Sequence, residues 1–300
     1  MKISVLTPTY NRGYTLPNLY NSLIKNKMDC PDFEWLIMDD GSNDNTEVLV
    51  NEWIKENAIN IRYFKQPNQG KMVALNNLLQ YIKGEIEIEC DSDDYFTDDC
   101  FRNVLEKWEE IKDDDTIYGL AFPRITKEGK IIGSPFKREG KVSRIFDMYF
   151  KDGVTGDKTL AFKSNIRKQF KHKLENGERF ATEGRMYHEM DLQYRGLKCF
   201  NIPAVVCEYL GDGYTKNIIE VFKKNPYAHY YYYLEMFKFN FSGVPLKYRI
   251  HILKHYILFS YLTRQKKKQV IKNTTGLINK LLVILFVIPG YAKTKKKFGQ

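Results

Sequence analysis

Three short polar stretches carry the residues able to do chemistry. Cys90-Asp91-Ser92-Asp93-Asp94 follows the alternating run Glu85–Glu89. On an extended backbone Asp91 and Asp93 project to one side and Asp94 to the other, so one face presents two carboxylates. Such a pair suits Mg²⁺ or Mn²⁺, hard cations that take one or two protein oxygens and complete their shell on a substrate diphosphate. Met38-Asp39-Asp40-Gly41-Ser42-Asn43-Asp44 places carboxylates between an apolar run and an amphipathic one. There Asp40 can accept a hydrogen bond from a pyrimidine ring N–H or a ribose hydroxyl, while Ser42 or Asp44 caps the next helix. Thr7-Pro8-Thr9-Tyr10-Asn11-Arg12 brings hydroxyls, an aromatic ring and a guanidinium, which together can stack a base and hydrogen-bond a diphosphate.

The elements that must position these stretches are β-strands ending where helices begin. Ile3–Thr7, Trp35–Met38, Ile61–Phe64 and Glu85–Cys90 read as strands, and the segments near Thr15–Lys25, Asp44–Lys55, Met72–Lys83 and Asp98–Ile111 read as helices. This β-α-β-α order predicts a mostly parallel, twisted sheet with helices on both faces and ligands at the carboxyl ends of the strands. Ile117–Phe122, Lys198–Ile202 and Ala204–Tyr209 read as further strands, Arg185–Tyr194 as a helix, and all are expected to complete the same sheet region. No low-complexity linker and no repeat of twenty to fifty residues divides the chain.

Composition removes several classes of function. The 300 residues are 43% hydrophobic and 28% charged, an ordinary globular balance. The five cysteines are scattered and never form Cys-x-x-Cys, so they suggest neither a disulfide framework nor a zinc site and fit a reducing compartment. Only Met1 and Lys2 precede the first apolar run, which leaves no room for a secretory signal and gives the expectation of a cytoplasmic start. There is no Gly-x-Gly-x-x-Gly after the first strand and no Gly-x-x-x-x-Gly-Lys-Ser/Thr loop, against a dehydrogenase or a P-loop enzyme.

In order and spacing, Thr7-Pro8-Thr9-Tyr10-Asn11-Arg12, Asp39-Asp40-Gly41-Ser42 and Asp91-Ser92-Asp93-Asp94 resemble the signature of glycosyltransferase family 2 on the Rossmann-like GT-A fold. The resemblance is specific over residues 1–100 and looser to about 215. It implies an inverting, metal-dependent hexosyltransferase that moves sugar from a nucleotide-diphosphate donor, most commonly a UDP-sugar, to an acceptor hydroxyl in cell-surface polysaccharide synthesis. Pro8, Tyr10 and Asp40 would contact the base. Asp91-Ser92-Asp93 would be the D-x-D element, with Asp93 the main ligand of Mn²⁺ or Mg²⁺ and Asp91 the second, and Lys71 in Asn68-Gln69-Gly70-Lys71 would lie close to the nucleotide. The reaction also needs a carboxylate to take the acceptor's proton. The resemblance aligns Glu183 with that base, although Gly184 replaces the usual second acidic residue, and Glu189 or Asp191 are alternatives. A helix N-terminus would keep Glu183 ionised. Asp157 and the turn Gly211-Asp212-Gly213-Tyr214-Thr215 resemble acceptor-side segments. The alternative is a module that binds a nucleotide sugar without chemistry, or recruits partners to a membrane.

The tail differs in kind. Net charge is +10, and 13 of the 47 basic residues lie from Leu246 onward, where there is no Asp or Glu. Leu281–Ile288 is an unbroken apolar octet, shorter than the twenty residues needed to cross a bilayer, and Pro289-Gly290 with four lysines follows it. With Ile252–Leu262, the tyrosines Tyr230–Tyr233 and Arg264–Lys268, it predicts interfacial helices on the cytoplasmic face of an anionic membrane, suited to a glycan or lipid-linked acceptor. Nucleic acid is excluded as a partner, since no binding motif is present and aliphatic runs interrupt the basic residues. The predicted organisation is a catalytic domain over 1–215 and a helical, basic and aromatic extension over 216–300.

Overall fold

A computed structural model of the chain describes residues 1–208 and 218–298. They divide into two compact units. The first comprises Met1–Arg144, Val154–His172 and Gln193–Asp212, and the second Ile145–Gly153, Lys173–Leu192 and Gly213–Gln300. The division is interleaved rather than a single cut near residue 215, a position outside the described residues. The turn Gly211–Thr215 lies outside them as well.

The first unit is an α/β sheet. Its elements run β1 (Ile3–Thr9), α1 (Leu16–Asn26), β2 (Phe33–Asp39), α2 (Thr46–Glu56), β3 (Ile61–Lys65), α3 (Lys71–Leu78), β4 (Ile86–Glu89), β5 (Asp94–Phe96), α4 (Cys100–Trp108), β6 (Ile117–Ile125) and β7 (Val142–Ser143), followed after an excursion by β8 (Lys158–Lys163), α6 (Ser164–Arg167), β9 (Gly196–Cys199) and β10 (Val205–Cys207). The strand order is β3-β2-β1-β4-β8-β6-β10-β5, with β9 paired to β6 and β7. β3, β2, β1 and β4 are mutually parallel, and β8 enters antiparallel between β4 and β6. β1 and β2 are buried along their whole length, as strands covered on both faces must be. Their side chains meet those of α1, α2 and α4 in one core that includes Val5, Leu19, Trp35, Val50 and Phe101.

β8 is absent from the reading of the sequence because lysines stand at both its ends. Both are buried, and their ammonium groups reach backbone carbonyls: Lys158 Nζ donates to Thr155 O at 2.7 Å and Lys163 Nζ to Lys112 O at 2.9 Å. All five cysteines are free.

The second unit is helical: α5 (Ile145–Phe150), α7 (Glu183–Gln193), α8 (Ile218–Lys224), α9 (Pro226–Glu235), α10 (Leu246–Leu262), α11 (Lys267–Asn273) and α12 (Leu277–Phe298). Aromatic rings make its core, with Phe146 of α5 stacked on Phe239 at 4.4 Å and His188 of α7 on Tyr232 at 5.1 Å. Those contacts place α5 and α7 with the C-terminal helices. The helical reading of the tail needs one correction, in length. Pro289-Gly290 does not end the apolar octet, and Leu277–Lys296 forms one helix long and apolar enough to cross a membrane by length and composition. Gly290 permits this continuity by lying against α10, where an added Cβ would meet Ile257 Cγ2 at 2.6 Å.

Candidate active site

The carboxyl ends of β1, β2 and β4 bring the three polar stretches onto one edge of the sheet. β2 ends at Asp39, which is fully buried and accepts hydrogen bonds from Ser42 N at 2.7 Å and Tyr63 Oη at 2.5 Å. Gly41 makes the turn at φ 83°, a conformation L side chains rarely adopt, and an added Cβ there would lie 3.0 Å from Asn68 N. The turn aims Asp40 at the loop before α3. One carboxylate oxygen accepts from Gln66 Nε2 and Gln69 N, both at 2.8 Å, and the other from Gly70 N at 2.7 Å. Asp40 therefore fastens the segment that opens α3 at Lys71, and this use of its oxygens comes before any contact with a base. Of the capping candidates, Asp44 accepts the N–H of Thr46, the first residue of α2, and Ser42 Oγ accepts Asn11 N.

Lys71 reaches back to the end of β4, where its Nζ lies 2.7 Å from Asp91. Burial alone would raise the carboxyl of Asp91, but Lys71 and Arg124 outweigh it and hold it below the usual range. The backbone here is not the extended one assumed from the sequence. Ser92 and Asp93 form a turn closed by Asp94 N donating to Asp91 O at 3.0 Å, so strand alternation does not set the directions of these side chains. Asp91 and Asp93 nevertheless remain close enough to feel each other's charge. Burial first, then Asp91, push the carboxyl of Asp93 up, opposed in part by Arg12 and Lys71. Ser92 is buried and its carbonyl accepts from Thr15 Oγ1 at 2.7 Å.

At the end of β1 the predicted residues separate. Thr7 is fully buried and its hydroxyl accepts from Trp35 Nε1 at 2.9 Å, so it holds β1 to β2 and presents nothing to a ligand. Pro8 is buried in the strand and Tyr10 is exposed. Arg12 follows Asn11, itself at φ 53°, and its Nη1 lies 3.0 Å from Tyr14 Oη.

Arg124, at the end of β6, belongs to this cluster and was missed from the sequence. Its Nη1 lies 3.0 Å from Asp94, and its buried Nε has no partner among the described residues. Burial disfavours its charge, yet Cys207, Asp94, Asp91 and Asp157 together hold the guanidinium charged above its ordinary range. Asp94, desolvated but countered by Arg124, is lifted to about 6 and also accepts from Cys207 Sγ at 3.2 Å. Nothing in Pro123-Arg124-Ile125 signals this role, since only strand pairing carries Arg124 to the acidic turn.

The cluster thus sets Asp91, Asp93 and Asp94 against Lys71, Arg12 and Arg124, and its charges nearly balance. A diphosphate entering it would bring negative charge that these cations already spend on carboxylates. Asp93 and Asp91, whose carboxylates lie close enough to repel each other, are the residues that would hold a divalent cation there. Among the described residues no group of three or more His, Cys, Asp or Glu is placed to cage a metal, so substrate oxygens would have to complete the shell.

In the second unit the acidic candidates sort by what holds them. Asp191 is fully buried and accepts Phe146 N at 3.0 Å, fixing α5. Glu189 pairs with Lys173. Glu178 accepts Tyr227 N and Ala228 N at 2.7 Å, at the start of α9. Glu183 is the first residue of α7 and half-buried. Gly184 is explained by packing, because an added Cβ would lie 2.8 Å from the Tyr232 ring and leave no room for a second acidic side chain.

A sheet with this order, carrying its acidic turn after β4 and its Asp-Asp-Gly-Ser turn after β2, one on each side of β1, defines a GT-A-type α/β protein. The chain belongs to glycosyl transferase family 2, whose family model matches residues 4–174. It is 28% identical over 145 residues to the minor teichoic acid biosynthesis protein GgaB of Bacillus subtilis, covering 48% of this chain and 16% of that protein. It is 30% identical over 104 residues to the poly(ribitol-phosphate) β-N-acetylglucosaminyltransferase TarS of Staphylococcus aureus, covering 35% of this chain and 18% of TarS. The chain thus spans less than a fifth of the length of these two relatives. The crystal structure of S. aureus TarS 1–349 in complex with UDP-GlcNAc superposes with a TM-score of 0.60 at 18% identity, covering 100% of this chain and 93% of that one. The mannosyltransferase PcManGT of Pyrobaculum calidifontis, in complex with GDP-Man and Mn²⁺, gives 0.57 at 14% identity, covering 98% and 83%. At these identities the superpositions establish the shared fold.

Proposed function

We propose that this chain is an inverting glycosyltransferase that moves a sugar from a nucleoside-diphosphate donor, UDP-linked in our reading, to a glycan hydroxyl with the help of Mn²⁺ or Mg²⁺. The observation that carries the reading is the balanced charge cluster at the ends of β1, β4 and β6 in a member of family 2. UDP as the nucleotide is supported by the TarS complex, and a cell-surface acceptor by the names of GgaB and TarS.

In this reading Asp93 and Asp91 would hold the cation, which would supply neutralisation of the charge gathering on the departing diphosphate. Arg12 and Lys71 act as donors to the diphosphate oxygens, and Tyr10, exposed after the end of β1, offers its ring to the base. Glu183 takes the proton of the acceptor hydroxyl as that oxygen bonds to the anomeric carbon. The bond from that carbon to the diphosphate breaks on the opposite side, and its electron pair leaves with the diphosphate. Asp40 keeps Lys71 in place through the Gly70 turn.

The test is a panel of nucleotide sugars with Mn²⁺ or Mg²⁺, scored by thermal shift and by release of nucleoside diphosphate. Metal-dependent binding and turnover, with turnover lost in Asp93→Ala, is the expected result. Turnover unaffected by chelator ends the reading, and metal-dependent binding without turnover across acceptors makes the chain a nucleotide-sugar-binding module.

A further inference from the structure

The helical unit presents an apolar surface that none of its described residues covers. In α12 the side chains of Leu277, Ile278, Leu281, Ile284, Leu285 and Ile288 are each more than half exposed. Their spacing of one, three or four residues puts them on one side of the helix, in a strip about 18 Å long. The other side is spent on packing. Val283 and Val287 are buried in the same cluster as Ile252, Tyr256 and Phe259 of α10, and Asn279 and Thr294 are buried as well.

A basic collar closes the carboxyl end of this strip. Lys293, Lys295 and Lys296 are exposed on the last turns of α12, and Lys280 is exposed within the strip. The loop before α11 and the first turn of α11 add Arg264, Lys266, Lys267 and Lys268, all exposed. This segment is tied to α12 through Tyr291, whose hydroxyl donates to Gln265 O at 2.9 Å and whose ring lies 5.8 Å from Lys267 Nζ. Tyr261, Arg264, Gln265 and Tyr291 line an open cleft inside the collar.

We propose that this face of α12 docks on an anionic lipid bilayer, with the helix lying in the interfacial plane, its apolar strip among the acyl chains and its collar on the headgroups. Charge complementarity selects this occupant. From Leu246 onward there are 13 Lys or Arg and no acidic residue, so a second copy would bring one collar against another, whereas anionic headgroups neutralise it. Packing selects the orientation. To span the bilayer α12 would carry α10 into hydrocarbon beside it, and α10 bears exposed Lys247 and Lys254. The docking is independent of the sugar-transfer reading, since vesicle binding needs neither donor nor metal.

The experiment is flotation of the full chain with vesicles of phosphatidylcholine alone or mixed with phosphatidylglycerol, at low and high salt, alongside light scattering without lipid. The wild type is expected to float with the mixed vesicles, less at high salt, and not with phosphatidylcholine. The variant Lys293→Gln/Lys295→Gln/Lys296→Gln, whose changes are on exposed side chains, should partition on the order of a hundredfold more weakly. The variant Leu281→Ser/Ile284→Ser/Leu285→Ser should lose at least as much at either salt, with an unchanged circular dichroism spectrum. Equal flotation with both vesicle types, or a triple-lysine variant that binds like the wild type, overturns the proposal. A dimer in light scattering that the apolar variant dissolves, without vesicle binding by the wild type, makes the occupant a second copy of the chain.

Discussion

The two units group their carboxylates differently. In the sheet unit, Asp91, Asp93 and Asp94 gather on one acidic turn, where Lys71 pairs with Asp91, Arg124 pairs with Asp94, and Arg12 and Lys71 offset the charge of Asp93. In the helical unit, Asp191 and Glu178 accept backbone N–H groups and Glu189 pairs with Lys173, so acidic side chains there mostly hold helices in place. Glu183 stands half-buried at the start of α7. An acidic residue in a helical element is thus a weak signal of chemistry, whereas a cluster at strand ends is a strong one.

The substitution that presses hardest on this contrast is Glu183→Gln. It keeps size and polarity and removes the base, and kcat should fall about 10³-fold while donor binding, measured by calorimetry, stays at the wild-type value. Retained turnover would confine the chemistry to the sheet unit. Asp93→Asn should cost on the order of 10²-fold in kcat/KM and flatten the response of nucleotide-sugar binding to added Mn²⁺. If the metal titration of this variant matched the wild type, the acidic turn would not be the metal's place.

The contrast also has a pH signature. His188 is fully enclosed by the aromatic core of the helical unit, and burial pushes its pKa down to about 3. In the unfolded chain it titrates near the ordinary 6.5, so below that pH the unfolded state takes up a proton that the folded state refuses. Stability is full above pH 6.5 and falls as pH drops toward 3, by about 2 kcal/mol at pH 5 from this residue alone. His229, lowered to about 4 by burial and by His255, adds to the same trend. Denaturant melts at pH 7 and pH 5 should show the loss, and His188→Phe should narrow it. Equal narrowing by a substitution at an exposed histidine would discount the buried ring.

Legibility followed the same division. Strand-turn-helix punctuation made β1 to β4 and α1 to α4 readable, because runs such as Ile3–Thr7 and Trp35–Met38 are rich in apolar residues and are followed by turn residues. It also located the acidic turn and the Asp40 turn. What the residues did not disclose was direction. Thr7 reads as a ligand hydroxyl but faces Trp35, and Asp91-Ser92-Asp93 reads as strand but folds as a turn. Arg124 was invisible, since its partners lie on β5 and β10 and only the sheet order brings them together. The aromatic helices gave no period that could show α5 and α7 packing with the tail.

The smallest effect tests the finest point of the contrast, that the sheet unit's cations are held by its own carboxylates until a ligand arrives. Lys71 sits 2.7 Å from Asp91, and both side chains are partly buried, so the pair is worth on the order of 1 kcal/mol. A cation binding without nucleotide must displace that ammonium, and Lys71→Gln removes the competitor. Mn²⁺ alone, followed by the loss of its free electron paramagnetic resonance signal, should therefore bind the variant roughly two- to fivefold more tightly than the wild type. With nucleotide sugar present the order should reverse, because the ammonium released from Asp91 is then missing from the diphosphate. Identical Mn²⁺ affinities without nucleotide would mean that the Lys71–Asp91 pair does not guard the acidic turn, and the balance of charges drawn from it would have to be reassigned to Arg124.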